Sequence, residues 1–163
     1  MLSVEIKDLS YSIKDNKVLN KINLELEKDK IACILGPSGC GKTTLLKLIA
    51  GLSHVQDGEI YLNNNLVSSN NIHLKTEKRK IGFLFQDYAL FPHQTVKENL
   101  QFAIKNKSIS HTIKEILDVI KLSDSLDKYP HELSGGEQQR VALARSIIAV
   151  SYTHLTLPTK RIV

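Results

Sequence analysis

The segment Gly36-Pro37-Ser38-Gly39-Cys40-Gly41-Lys42-Thr43 constrains this chain more than any other. It fits G-x-x-x-x-G-K-[ST] at every fixed position. Such a segment works only between a strand and a helix, and its neighbours offer both. Ile31 to Leu35 is an apolar run of strand length. Thr43 to Leu52 places Leu45, Leu46, Leu48, Ile49 and Leu52 at the spacing of a largely buried helix. Gly51 stands where a helix C-cap belongs. Gly36, Gly39 and Gly41 allow a loop whose N–H groups converge on phosphate oxygens. The helix N-terminus adds positive potential. Pro37, Ser38 and Cys40 complete the loop. Lys42 can reach the β- and γ-phosphates, the Thr43 hydroxyl can ligate Mg²⁺, and Thr44 can donate to a phosphate oxygen. The plainer alternative is a glycine turn before a buried helix, and the strand–loop–helix order argues against it.

A second glycine-rich segment follows: Leu133-Ser134-Gly135-Gly136-Glu137-Gln138-Gln139-Arg140. Val141, Ala144, Ile147 and Ile148 continue it at helical spacing. Ser134 with Glu137 reads locally as a capping box, which is common and proves little. The glycine pair is unusual. Glycines in a first turn weaken a helix, but they leave its N–H groups open to an anion.

Elsewhere the chain changes character along its length. Val4 to Leu9 is a first strand. Residues 18–27 alternate Ile22, Leu24 and Leu26 with Asn23, Glu25 and Glu27, as a half-buried strand does. Gly58 to Leu62 is another, closed by Asn63-Asn64-Asn65. Ile81 to Phe85 reads as a buried strand. After Gln86 the pattern turns helical. Thr95 with Glu98 caps a helix over 95–104, and Ile113, Ile116, Leu117 and Ile120 keep a helical period. These elements predict a parallel α/β core beside a small antiparallel sheet, with a helical insertion over 87–132.

With 163 residues and a 42% hydrophobic fraction the chain can bury a real core. No apolar run approaches the ~20 residues of a membrane helix, and the first residues lack a secretory pattern. A cytoplasmic protein is expected. Net charge is +5, of which Lys160 and Arg161 supply two, leaving +3 on residues 1–150. No basic and aromatic residues interleave, so nucleic acid is not an expected partner. Cys33 falls in an apolar run and reads as core. Cys40 falls in the loop, where a helix N-terminus and Lys42 favour thiolate. His54, His73 and His93 show no ligand spacing.

The two glycine motifs together resemble the ATP-binding subunit of ABC transporters, over residues 1 to about 149. The resemblance implies a P-loop NTPase core of the ABC ATPase kind, with ATP and Mg²⁺ as cofactors. It implies a head-to-tail dimer, in which Ser134, Gly135, Gly136 and Glu137 of one copy meet the γ-phosphate held by the other. Gln86 is similar to the glutamine that contacts Mg²⁺ and the attacking water, and Lys42 joins it in catalysis. Tyr11 is similar to the aromatic that stacks on adenine, and Val18 lines the same pocket. Phe85 to Leu100 resembles the surface that meets transmembrane permease subunits, at the inner face of the cell membrane. The wording Phe85-Gln86-Asp87-Tyr88-Ala89-Leu90-Phe91-Pro92-His93 resembles the importer ATPases for ferric iron, polyamines, sulfate and molybdate, with ferric iron or polyamine favoured.

The family pattern continues with an apolar strand ending in Asp-Glu, which holds Mg²⁺ and polarises water. Glu137 is the last acidic residue here. The expectation is therefore an ABC-type domain over 1–150 that is incomplete at its C-terminus, impaired in hydrolysis, and followed by an unrelated tail over 151–163. Thr153, Leu155 and Leu157 could mimic the missing strand weakly. Two other functions compete with an importer ATPase: a soluble ABC-type ATPase acting on nucleic acid or ribosomes, and a non-catalytic nucleotide-binding fragment.

Overall fold

The computed structural model describes residues 2–103 and 117–155, with side-chain surroundings through 149. The chain divides into two compact units, Met1–Ile81 and Gly82–Val163.

The first unit is built on an antiparallel sheet of four strands: β1 (Leu2–Ile13), β2 (Asn16–Glu27), β3 (Asp57–Leu62) and β4 (Asn65–Ser68), in the order β2-β1-β3-β4. The alternation in β2 sets its register, with Ile6 opposite Leu24 and Leu9 opposite Ile22. Asn63 and Asn64 both take positive φ, 48° and 63°. That is the two-residue turn that matches strand twist, and asparagine tolerates it well. Gly58 is required by its setting: φ is 91°, and a Cβ there would stand 2.6 Å from the Lys7 carbonyl oxygen. Helix α1 (Lys42–Ala50) belongs to this unit. Its Leu45 and Leu48 join Ile6, Leu9, Leu19, Val55, Ile60, Leu62 and Val67 in one core. Each such side chain contributes about 1.5–3 kcal/mol when fully buried. Gly51 ends α1 in the left-handed conformation, φ 77°, as its position predicted.

The second unit has no strand among its described residues. Helix α2 (Val96–Gln101) begins at the predicted Thr95–Glu98 capping box. Helix α3 spans Gly135–Leu155. Short 3-10 turns at Ser123–Ser125 and Pro130–Glu132 lie between them. Val96 and Leu100 of α2 meet Val141, Ala144 and Ile148 of α3, with Leu117, Leu122 and Leu133, in a second core. Ile113 and Ile116 of the expected helical period fall outside the described residues; Leu117 and Ile120 fall within them.

Three expectations fail. Residues 31–35 and 81–85 form no strand. A strand requires a pairing partner as well as apolar residues, and no described segment pairs with either run. Ile31 is 99% exposed and Leu35 85%. One residue from each run, Ile34 and Ile81, packs against the first core. Cys33, expected in the core, is exposed for the same reason. Thr153 and Leu155 lie in the last turns of α3 instead of a strand, and Leu157 falls outside the described residues.

Candidate functional site

The phosphate loop runs from Gly36 into α1. Its shape depends on the absence of side chains at particular points. Gly41 is the residue before α1, with φ 98°. A Cβ there would meet Leu19 Cδ2 at 2.9 Å and Val18 Cγ1 at 3.0 Å. Gly41 therefore sits directly on β2. Gly39 has φ 83° in open space, and a Cβ on Gly36 would stand 2.7 Å from Cys40 Sγ. The first helical bond runs from Leu45 N to Gly41 O, at 2.9 Å. By the general rule the N–H groups before Leu45 then have no partner within the helix. No side chain caps this end and no acidic residue stands in its first turn. The end of α1 is thus electropositive and open to an anion.

Lys42 folds back over the loop. Its Nζ donates to the carbonyls of Gly36 at 2.8 Å and Pro37 at 2.7 Å, and lies 3.6 Å from Cys40 Sγ. Ser38, Cys40 and Thr43 are exposed, and Thr44 is half-buried. Both cysteines are exposed, so burial does not separate them. Tyr11 and Val18 are half-buried and pack against the first core. Tyr11 pairs across the sheet with Leu19, the residue beneath Gly41. The structure thus brings Tyr11, Val18 and the loop into one neighbourhood. The Thr43 hydroxyl suits a hard cation such as Mg²⁺ in its donor chemistry. No group of three or more His, Cys, Asp or Glu residues is arranged to hold a metal among the described residues.

Gln86 and the second glycine motif belong to the other unit. Gln86 is exposed and opens a tight turn in which Tyr88 N donates to Phe85 O at 3.1 Å. Ser134 and Glu137 form the predicted capping box. Glu137 Oε2 accepts from Ser134 N at 2.8 Å and from Ser134 Oγ at 2.6 Å, and Glu137 N donates to Ser134 Oγ at 3.3 Å. The Ser134 hydroxyl hydrogen bond is the main reason the Glu137 carboxyl titrates below its usual range. Gly135 and Gly136 follow in the exposed first turn. A Cβ on Gly135 would touch nothing within 4 Å, and one on Gly136 only Arg140 Nη1 at 3.8 Å. Among the described residues, nothing inside the chain requires glycine at either position.

Two arginines escaped sequence reasoning. Arg79 is 5% exposed and spans the first unit. It donates to the carbonyls of Leu48 (3.0 Å), Ile49 (2.9 Å), Leu74 (2.8 Å) and Val67 (3.3 Å) and to Ser68 Oγ (2.6 Å). It thereby ties the C-terminal end of α1 to β4. Arg145, half-buried on α3, donates to the carbonyls of Tyr88 and Ala89. Burial lowers the pKa of both. Neither forms an ion pair with a carboxylate among the described residues, where Lys7–Glu5 at 3.1 Å is the one bridge. Carbonyl partners carry no sequence signal, so neither role could be read in advance. His54 and His73, which looked isolated, stack at 3.8 Å.

A phosphate loop at an open helix end is shared by many nucleotide-binding proteins. The ABC transporter family profile matches residues 19–155 and takes in the loop and the second glycine motif alike. The chain belongs to the ABC transporter family. Among curated ABC proteins it is 38% identical over 152 residues to the Fe(3+) ions import ATP-binding protein FbpC of Fusobacterium nucleatum, covering 90% of this chain and 40% of that one. It is 42% identical over 149 residues to the spermidine/putrescine import ATP-binding protein PotA of Thermotoga maritima, covering 88% and 39%. It is 39% identical over 155 residues to the sulfate/thiosulfate import ATP-binding protein CysA of Pseudomonas syringae pv. tomato, covering 90% and 46%. The chain thus spans less than half the length of these relatives. Among solved structures it is similar to the ATP-binding cassette MJ0796 in a dimeric post-hydrolysis state bound to ADP and Pi. The TM-score is 0.73 at 31% identity, over 90% of this chain and 69% of that one. It is also similar to cbiO1 of Clostridium perfringens, part of the cbiONQ complex, with TM-score 0.77 at 26% identity over 91% and 62%. The mixed α/β fold agrees with these cassettes. No described helix is long and apolar enough to cross a membrane.

Proposed function

We propose that this chain is the ATP-binding part of a subunit that energises an ABC importer, working in the cytoplasm against permease subunits at the inner face of the membrane. The observation that carries the reading is the pair of exposed glycines at the start of α3. Glycine costs a helix up to about 1 kcal/mol per residue, and a capping box returns about 1 kcal/mol in all. Folding alone does not account for the pair, since a Cβ at Gly135 or Gly136 would meet no obstacle. A surface kept bare at a helix N-terminus suits the phosphate of a nucleotide held by a second copy. The MJ0796 relative, described as a dimer with ADP and Pi, supports that arrangement.

In this reading the loop from Gly36 to Thr44 holds the triphosphate, Lys42 neutralises its charge, and Tyr11 and Val18 face the adenine. Bound Mg²⁺ would supply charge neutralisation, and Thr43 and Gln86 are the oxygen donors this chain offers it. Gln86 orients the attacking water. Ser134, Gly135, Gly136 and Glu137 serve the partner copy, and Phe85 to Leu100 meets the permease. No aspartate or glutamate follows Glu137. We infer that the 163-residue chain binds nucleotide but turns it over slowly, because a positioned general base contributes about 10²–10⁴-fold.

The solute is ferric iron or a polyamine in our reading, although the relatives divide among Fe(3+), spermidine/putrescine and sulfate/thiosulfate importers. The test is uptake of labelled Fe³⁺, spermidine and sulfate by cells whose copy of the gene is disrupted. Loss of iron or spermidine uptake is expected. Loss of sulfate uptake alone would overturn the solute, and unchanged uptake of all three would count against an importer for this group of solutes.

A further inference from the structure

We propose that Arg145 is a positioning residue: its guanidinium holds a strained bend at Tyr88–Ala89, which begins two residues after Gln86, fast to helix α3. The functional weight of this rests on the reading above, in which Gln86 and the start of α3 both face nucleotide.

Tyr88 and Ala89 are consecutive non-glycine residues in the left-handed region, with φ 62° and 47°. Each is disfavoured because Cβ crowds the following carbonyl oxygen. Strain of this kind persists only where the surroundings over-determine it. Successive residues in a helical conformation of either hand turn their carbonyls to the same side. Here both carbonyls turn toward one guanidinium nitrogen. Arg145 Nη2 donates to Ala89 O at 2.7 Å and to Tyr88 O at 3.2 Å.

The other end of the guanidinium is held as well. Nη1 donates to Asn99 Oδ1 at 3.4 Å. Asn99 is fully buried. Its Oδ1 accepts from Phe91 N at 2.9 Å, and its Nδ2 faces the carbonyls of Phe91, Gln94 and Thr95, each at 3.1 Å. The Phe91 ring lies beneath the guanidinium, 5.4 Å from its carbon, and packs edge-on against Phe102 at 4.7 Å. The segment from Tyr88 to Thr95 is therefore fixed by two side chains, one from α2 and one from α3. A relaxed bend would turn the carbonyls away from Nη2 and leave a half-buried cation short of acceptors. Lysine cannot replace the arrangement, because one ammonium lacks the planar fork that meets Ala89, Tyr88 and Asn99 together.

If Arg145 holds the bend, the identity of residue 89 should matter only while Arg145 is present. Glycine takes positive φ without steric cost. Ala89→Gly should therefore raise the Tm of the 163-residue chain by about 2–4 °C, as a gain near 1 kcal/mol does at this size. In an Arg145→Met background the bend relaxes and the same substitution should give no rise. Arg145→Lys, the variant safer for folding, should keep less than half of it. An equal rise in all backgrounds would show that Arg145 merely packs α3 and would overturn the proposal. So would the absence of any rise in the Arg145 chain. Nucleotide affinity, measured alongside by calorimetry, should stay within about twofold for Arg145→Lys. If no variant binds ATP while the unfolding cycle is non-additive, the clamp stands and the nucleotide reading fails.

Discussion

The two units solve the same problem by different means. In residues 2–81 the backbone satisfies itself: four strands form a continuous antiparallel ladder, and one buried arginine closes what the ladder leaves open. In residues 82–155 the described backbone has no ladder. Its irregular stretches are satisfied by side chains, chiefly Asn99, Arg145 and Gln138, whose Nε2 donates to Pro130 O at 2.9 Å and Leu133 O at 3.1 Å. A ladder distributes stability over many equivalent bonds. Side-chain knots concentrate it in a few residues, and each knot sits beside a motif assigned to function. The second unit should therefore respond more locally to substitution than the first.

Arg79→Met and Asn99→Ala compare the two designs directly. Arg79→Met takes the donor from the Ile49 and Leu74 carbonyls and from Ser68 Oγ, while Leu48 O keeps Gly51 N and Val67 O keeps Leu74 N, and each orphaned buried group costs about 1–3 kcal/mol. A loss of about 3–5 kcal/mol is expected, with hydrogen-exchange protection falling across β1, β3 and α1 together. Asn99→Ala strands the Phe91 N–H and the Gln94 carbonyl, while the Phe91 and Thr95 carbonyls keep backbone partners, for about 2–3 kcal/mol. Its loss of protection should stay within residues 88–101. Denaturant unfolding with exchange mass spectrometry reads both. If Asn99→Ala spreads through the unit and Arg79→Met stays local, the contrast is reversed.

Mild acidity, in the imidazole range, gives a smaller effect in the first unit. Burial of His73 lowers its pKa first, and the positive charges of His54 and Arg79 lower it further, against a weaker opposing pull from the Gly51 backbone. A base whose folded pKa is depressed resists protonation in the native state. Its contribution is intact above the ordinary imidazole value of about 6.5 and declines as pH falls below it toward the folded value. Thermal unfolding across this range should show stability dropping on acidification, and His73→Gln should flatten the slope. An unchanged slope would mean that the stacked pair is not the titrating element.

The ladder was legible because its signals are periodic. The alternation of Ile22, Leu24 and Leu26, the asparagine turn after Leu62 and the phosphate loop each name their own conformation. Two apolar runs misled. Ile31–Leu35 and Ile81–Phe85 have the composition of buried strands, but pairing depends on a partner that no described residue provides. Cys33 was misplaced with them. The capping boxes at Thr95 and Ser134 were readable because both partners lie three residues apart. Arg79, Asn99 and Arg145 were not, because they bind carbonyls that any residue could carry.

The most direct test of the central claim is MgATP binding by the 163-residue chain, measured by calorimetry beside Lys42→Ala. The loop from Gly36 to Thr44 and the open end of α1 predict binding by the unsubstituted chain. Removal of the ammonium should weaken it by about 10–100-fold, the equivalent of one charge-assisted hydrogen bond of about 1.5–3 kcal/mol. Equal affinity in the two proteins, or no binding in either while both remain folded, would contradict the account.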